Sequence, residues 1–235
     1  MHNKNIVCGE FPEYCYKAFE CEEYAEDFVH RGIFRMGCQL SYKAMENEQL
    51  RDKTEGTGLT KEYGPVTYVG FSQDPNEKPI YIQKMDYQEH HSEQYNARFC
   101  FCTCLPTVQR EHMKNNLGKY IVKINNPRKL AEDINDYLLG DNQKVSVEGC
   151  FVVYNKGERL NGKLGTNERL KLAYKQKPKS FNPDCEFRIV AMNMGKICNG
   201  ECKFIVGSSE GADPECKYIT IKLGKELDYA QLCES

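Results

Sequence analysis

Two groups of charged side chains lie beside segments that read as β-strands, and they are the residues of this 235-residue chain best placed to do chemistry. The first centres on Arg35, inside the run Gly-Ile-Phe-Arg-Met-Gly at 32–37. Glycines bound this run and apolar residues alternate with others, so it reads as a short strand on which Arg35 shares a face with Ile33 and Gly37. A guanidinium at a half-buried position needs a carboxylate or phosphate partner. Arg35 therefore reads either as a phosphate-gripping side chain or as one half of an ion pair with Glu46 or Glu55. Downstream, Tyr42, Glu46, Arg51, Asp52 and Glu55 combine both signs of charge with an aromatic ring, a set suited to framing a polar ligand or to a solvated loop. The second group is Asp184, Glu186 and Arg188 in Asp-Cys-Glu-Phe-Arg, where alternation puts all three on one strand face. Two neighbouring carboxylates raise one another's pKa and can hold a proton or orient a ribose hydroxyl, unless Arg188 neutralises them as a surface ladder.

Thirteen cysteines invite a metal or disulfide reading. The odd number, irregular spacing and absence of an apolar signal segment at the start of the chain favour reduced thiols and a cytoplasmic protein. Cys100, Cys102 and Cys104 alternate along an aromatic strand and so share a face as small buried hydrophobes; parallel positions do not converge on one ion. Cys198 and Cys202 flank a turn-like Asn-Gly-Glu and could hold zinc with Cys216, but no fourth ligand is evident, and no metal is expected.

These groups need elements to position them. Residues 12–30 carry Tyr14, Phe19, Tyr24 and Phe28 at a rough helical spacing, and 51–58 reads as a loop. Strands are expected at 66–71, 79–83 and 97–105 in a meander-like series, then at 120–124. Asn126 and Pro127 form a helix-start signal, with Leu130, Ile134, Tyr137 and Leu138 at helical spacing until Gly140. Further strands are expected at 145–154, 187–192, 203–207 and 218–223, while lysine-rich 164–179 reads as a surface excursion. No repeat or linker divides the chain, so the expectation is one α+β domain over 1–235, with a mixed, mainly antiparallel sheet and a few helices.

Composition narrows the partners. With 32 basic and 34 acidic residues the net charge is −2, which disfavours a protein that coats nucleic acid, and no apolar run is long enough for a membrane span. Gly-x-Gly-x-x-Gly, Walker, Gly-x-Ser-x-Gly and paired-histidine zinc motifs are missing.

Two resemblances can be named. Tyr42 to Glu46, Asp52 to Gly56, the cysteine strand, the Gly-x-Tyr-Ile-Val-Lys-Ile run ending at Pro127, Val153-Tyr154, Lys175 or Lys177, and Glu186 to Arg188 together resemble a family of uncharacterised bacterial and mobile-element proteins. The Asp184-Cys-Glu186 strand, following an arginine on an early strand, resembles the catalytic-glutamate strand of ADP-ribosyltransferases, with Asp184 where that motif has Glu or Gln. The second resemblance implies NAD as cofactor, Glu186 stabilising an oxocarbenium-like ribose, Arg35 on the pyrophosphate, Tyr42 on the nicotinamide and a macromolecular target, most simply a protein. The competing expectation is a non-catalytic interaction protein, of phage or mobile-element type, that binds and blocks a host macromolecule through an acidic, tyrosine-rich face. A zinc- or redox-responsive protein built on Cys198, Cys202 and Cys216 is the third reading.

Overall fold

The computed structural model describes residues 7–38, 57–62, 66–70, 80–85, 88–93, 98–139, 145–156, 174–193 and 218–233, with backbone alone for the segments between 57 and 93. Tyr42, Glu46, Arg51, Asp52, Glu55, Cys198, Cys202 and Cys216, and the strand expected at 203–207, lie outside the described residues.

The architecture is α+β, dominated by a nine-stranded sheet. Its main path runs from β1 (Val7–Gly9) through β10 (Val145–Phe151), β11 (Glu186–Asn193), β8 (Arg98–Cys104), β2 (Cys15–Phe19) and β9 (Tyr120–Ile124) to β13 (Ala230–Leu232). A side branch joins β3 (Ile33–Cys38) to β8 and β12 (Tyr218–Lys222) to β3. β1 lies parallel to β10, and the other pairings in this sheet are antiparallel. Two further ladders pair β4 (Thr57–Glu62) with β7 (Gln88–Glu93) and β5 (Val66–Gly70) with β6 (Ile80–Met85), so this region is a set of nested pairs and not the expected meander.

Residues 12–30 correct the helical reading. Cys15 to Phe19 is a strand, followed by the short helix α1 (Glu22–Glu26) and a π-helical turn, Asp27–Arg31. The ring spacing misled because the strand alternates between two environments: Cys15 and Phe19 join the main core, while Tyr16 and Ala18 pack on the opposite side with Met113 of α2 (Arg110–Asn116). The π turn ends at Gly32, whose φ of 61° lies in the left-handed region and turns the chain into β3. A Cβ there would stand 2.9 Å from the Leu223 Cβ.

α3 (Pro127–Leu139) forms as the sequence predicts. The Lys129 amide donates to Asn126 Oδ1 at 3.0 Å, which satisfies one of the helix's otherwise open N–H groups. Its apolar stripe, Leu130, Ala131, Ile134 and Leu138, covers one face of the sheet together with Phe99, Phe101, Phe187, Ile189 and Ala191. The opposite face carries Cys100, Cys102 and Cys104 of β8, Glu186 and Arg188 of β11 and Cys150 of β10, as the pairings Glu186↔Cys104, Arg188↔Cys102 and Cys150↔Arg188 require. The cysteines thus share a face as expected.

Candidate functional site: a cleft where the sheet divides

Both β2 and β3 use the same edge of β8, at different ends. β2 pairs with it at Tyr16↔Cys104, and β3 pairs with it at Gly37↔Cys100 and Cys38↔Phe99. Between these points the strands leave β8, because each remains zipped to its outer partner: β2 to β9 over its whole length, β3 to β12 from Ile33↔Lys222 to Gly37↔Tyr218. Phe28, fully buried in the π turn, wedges the division open. Its ring lies 5.5 Å from Phe19 of β2, 5.2 Å from Phe34 of β3 and 5.6 Å from Phe101 of β8, centroid to centroid. Such contacts add about 0.5 to 1.5 kcal/mol per pair beyond buried area. π-helical turns recur at functional sites.

The division opens a cleft of about 410 Å³ lined by Lys17, Ala18, Phe19, Glu20, Tyr24, Asp27, Ile33, Phe34, Arg35, Leu117 and Thr220. Arg35 is exposed on its wall; its guanidinium lies 4.3 Å from the Tyr218 ring centroid and 5.8 Å from that of Tyr24. Among the described residues no carboxylate pairs with it. Lys17, partly buried, donates to the Cys102 carbonyl at 3.0 Å, filling a bonding position on β8 that neither diverging strand occupies. Its ammonium also lies 5.1 Å from the Phe101 ring and 5.9 Å from Phe19. Asp27 is paired with Arg31, and Glu20 stands exposed at the rim.

Glu186 belongs to a different constellation. It is 5% exposed, Arg188 is 2% exposed, and the Arg188 Nε donates to Glu186 Oε1 at 2.7 Å. Lys177 Nζ stands 2.7 Å from Glu186 Oε2, and the Arg188 guanidinium also donates to the Tyr174 carbonyl at 2.9 Å. The backbone N–H of Glu186 donates to the Tyr154 hydroxyl. Burial alone would raise the Glu186 pKa, but the neighbouring Arg188 and Lys177 charges and their hydrogen bonds outweigh it and hold the carboxyl well below the usual range. The expected mutual raising of two carboxylates is therefore absent.

Asp184 does not share that strand face. It ends a 3-10 turn, Lys179–Asp184, and Cys185 at φ 45° reverses the chain before β11 begins. Asp184 instead meets His112 of α2, Oδ1 to Nε2 at 2.9 Å, while Asn116 bonds the other ring nitrogen.

Residues 174–178 correct the surface-excursion reading for the part of it that is described; 164–173 lie outside the described residues. Tyr174, Gln176 and Lys177 are buried, and the Val153 and Lys177 backbones clip this strap across the sheet. Tyr174 donates its hydroxyl to Glu148 Oε2 at 2.7 Å and Lys175 reaches Glu148 Oε1 at 3.0 Å. A count of apolar residues missed the strap because lysine stems and a tyrosine ring supply its buried surface while carboxylates beneath receive the charges.

By register, Arg35 and Glu186 project from the same face, two strands apart across β8. Arg35 lines the cleft, whereas Glu186 lies under the strap and is not among the cleft-lining residues. Sequence reading missed Lys17 and Tyr24; the Cys-Tyr-Lys-Ala-Phe alternation was the available signal for Lys17. Among the described residues no group of three His, Cys, Asp or Glu is arranged to hold a metal, and no helix is long and apolar enough to cross a membrane. Comparison with protein-family models, curated proteins and solved structures finds no match.

Proposed function

We propose that the protein binds a phosphate-bearing nucleotide, with NAD⁺ as the first candidate, in the cleft between β2 and β3. One observation carries this reading: Arg35 is held against Tyr218 on the wall of a cleft of about 410 Å³ with no carboxylate partner among the described residues. A volume of this order falls in the usual range for small-molecule sites. A stacked guanidinium grips phosphate bidentately, and the half-exposed Tyr24 ring offers a base a surface to stack on.

ADP-ribosyl transfer from NAD⁺ to a protein target is the fuller form of this reading. It requires a carboxylate at the ribose, and Glu186 would serve only after release from Lys177 and Arg188. Nucleotide binding is accordingly the conclusion, and transfer is its extension. The rival, a non-catalytic interaction protein, draws support from the same Tyr24, Arg35 and Tyr218 grouping, since exposed tyrosine and arginine anchors are typical of binding hot spots.

Calorimetric titration with NAD⁺ tests the proposal. The parent protein should bind, and Arg35→Met should weaken binding about tenfold or more, the loss expected for one charge-assisted contact. Absence of binding, or equal affinity in the variant, would sink it and favour the interaction protein.

A further inference from the structure

We propose that Lys17 forms a second anion subsite in this cleft, so that the ligand class is a nucleoside diphosphate or its ester and not a monophosphate. This rests on the nucleotide reading above and adds to it a residue and a discrimination.

Some lysines of the described residues meet carboxylates, as Lys175 does with Glu148, Lys177 with Glu186, and Lys129 and Lys225 with Asp133. Lys17 does not. Among the described residues its ammonium has one hydrogen bond, to the Cys102 carbonyl, and two aromatic rings at 5.1 and 5.9 Å. A carbonyl and ring faces solvate a cation but leave its formal charge uncompensated, and an ammonium carries three N–H donors. Two donors therefore remain for a ligand, at a partly buried position where a lower effective dielectric strengthens an ionic contact.

The two cations reach the cleft from its two sides. Lys17 comes from β2 and Arg35 from β3, the two strands whose divergence makes the cleft. A planar guanidinium suits bidentate grip of one phosphate, and a compact ammonium suits a point contact with the next. Of the neighbouring acids, Asp27 pairs with Arg31 and Glu20 sits at the exposed rim, where a carboxylate can accept from a sugar hydroxyl. On this proposal a monophosphate engages one cation and a diphosphate engages both.

Calorimetry with AMP, ADP and ADP-ribose on the parent protein, Lys17→Met, Lys17→Arg and Arg35→Met tests this, with thermal unfolding of each as a control. ADP should bind the parent about tenfold or more tightly than AMP. Lys17→Met should abolish that preference while changing AMP affinity less than about threefold, and Lys17→Arg should retain it. Lys17→Gln, which keeps a donor for the Cys102 carbonyl without the charge, replaces the Met variant should that one fail to fold. A preference for ADP that persists in the folded, uncharged variant overturns the subsite alone. Binding of neither ADP nor AMP to the parent overturns both the subsite and the nucleotide reading.

Discussion

Replacing Glu186 by Gln separates a structural carboxylate from a catalytic one. The substitution preserves shape and removes one negative charge from between two cations, Arg188 at 2.7 Å and Lys177 at 2.7 Å, where the three side chains are at most 10% exposed. Breaking a buried ionic group by removing one partner costs about 3 to 5 kcal/mol, because the charges left behind cannot regain their hydration. For a chain of this length each kcal/mol lowers the melting temperature by about 2 to 4 °C, so a fall on the order of 10 °C is expected. Urea unfolding should show a lower midpoint with an unchanged slope.

The acid limb supplies a second readout. The Glu186 pKa is lowered from its ordinary 4.5 in the folded protein, so its ionic contribution is fully present above that value and is lost as pH falls below it. Parent stability should therefore decline as pH drops below about 4.5, and Glu186→Gln should decline less steeply, Asp133, lowered in the same direction, accounting for part of the remainder. A Gln variant within about 0.5 kcal/mol of the parent at pH 7, with the same acid slope, would refute the assignment of Glu186 to the strap network.

Truncating the wedge and mapping the thiols examine the rest of the fold. Phe28→Ala removes a fully buried ring that touches three others and should cost about 3 to 5 kcal/mol by urea denaturation, with weaker NAD⁺ binding as the cleft relaxes; a loss below about 1 kcal/mol would show that Phe28 does not hold the division open. Burial pushes the Cys15 and Cys150 thiols up to about 12, so mass-spectrometric mapping after iodoacetamide treatment at pH 8 should find both slow to react beside the partly exposed Cys21 and Cys185. Labelling of Cys150 at the rate of Cys185 would contradict the packing of the cysteine face.

Local signals made parts of this structure legible in the sequence. β9 and α3 follow from a β-branched run and from Asn126-Pro127 ahead of a helical stripe, information carried within a few residues. The glycine-bounded strand around Arg35 and the shared face of Cys100, Cys102 and Cys104 were legible for the same reason. The division of the sheet was not, since it arises from competition between β2 and β3, 14 residues apart, for one edge of β8. Lys17 looks ordinary until Cys102, 85 positions away, is brought beside it. Asp184 and Glu186 misled because the left-handed Cys185 between them breaks the alternation on which their pairing depended. Lys177 was obscured by its lysine-rich surroundings, and its burial and its pairing with Glu186 distinguish it.

The most direct measurement is a crystal structure of the protein with ADP-ribose bound. The phosphates are predicted between β2 and β3, within about 3 Å of the Arg35 guanidinium and the Lys17 ammonium, with Lys177 and Arg188 still on Glu186. A ligand seated against Glu186 with the 174–178 strap displaced, and the cleft beside Arg35 left empty, would contradict the division of labour between the two charged groups.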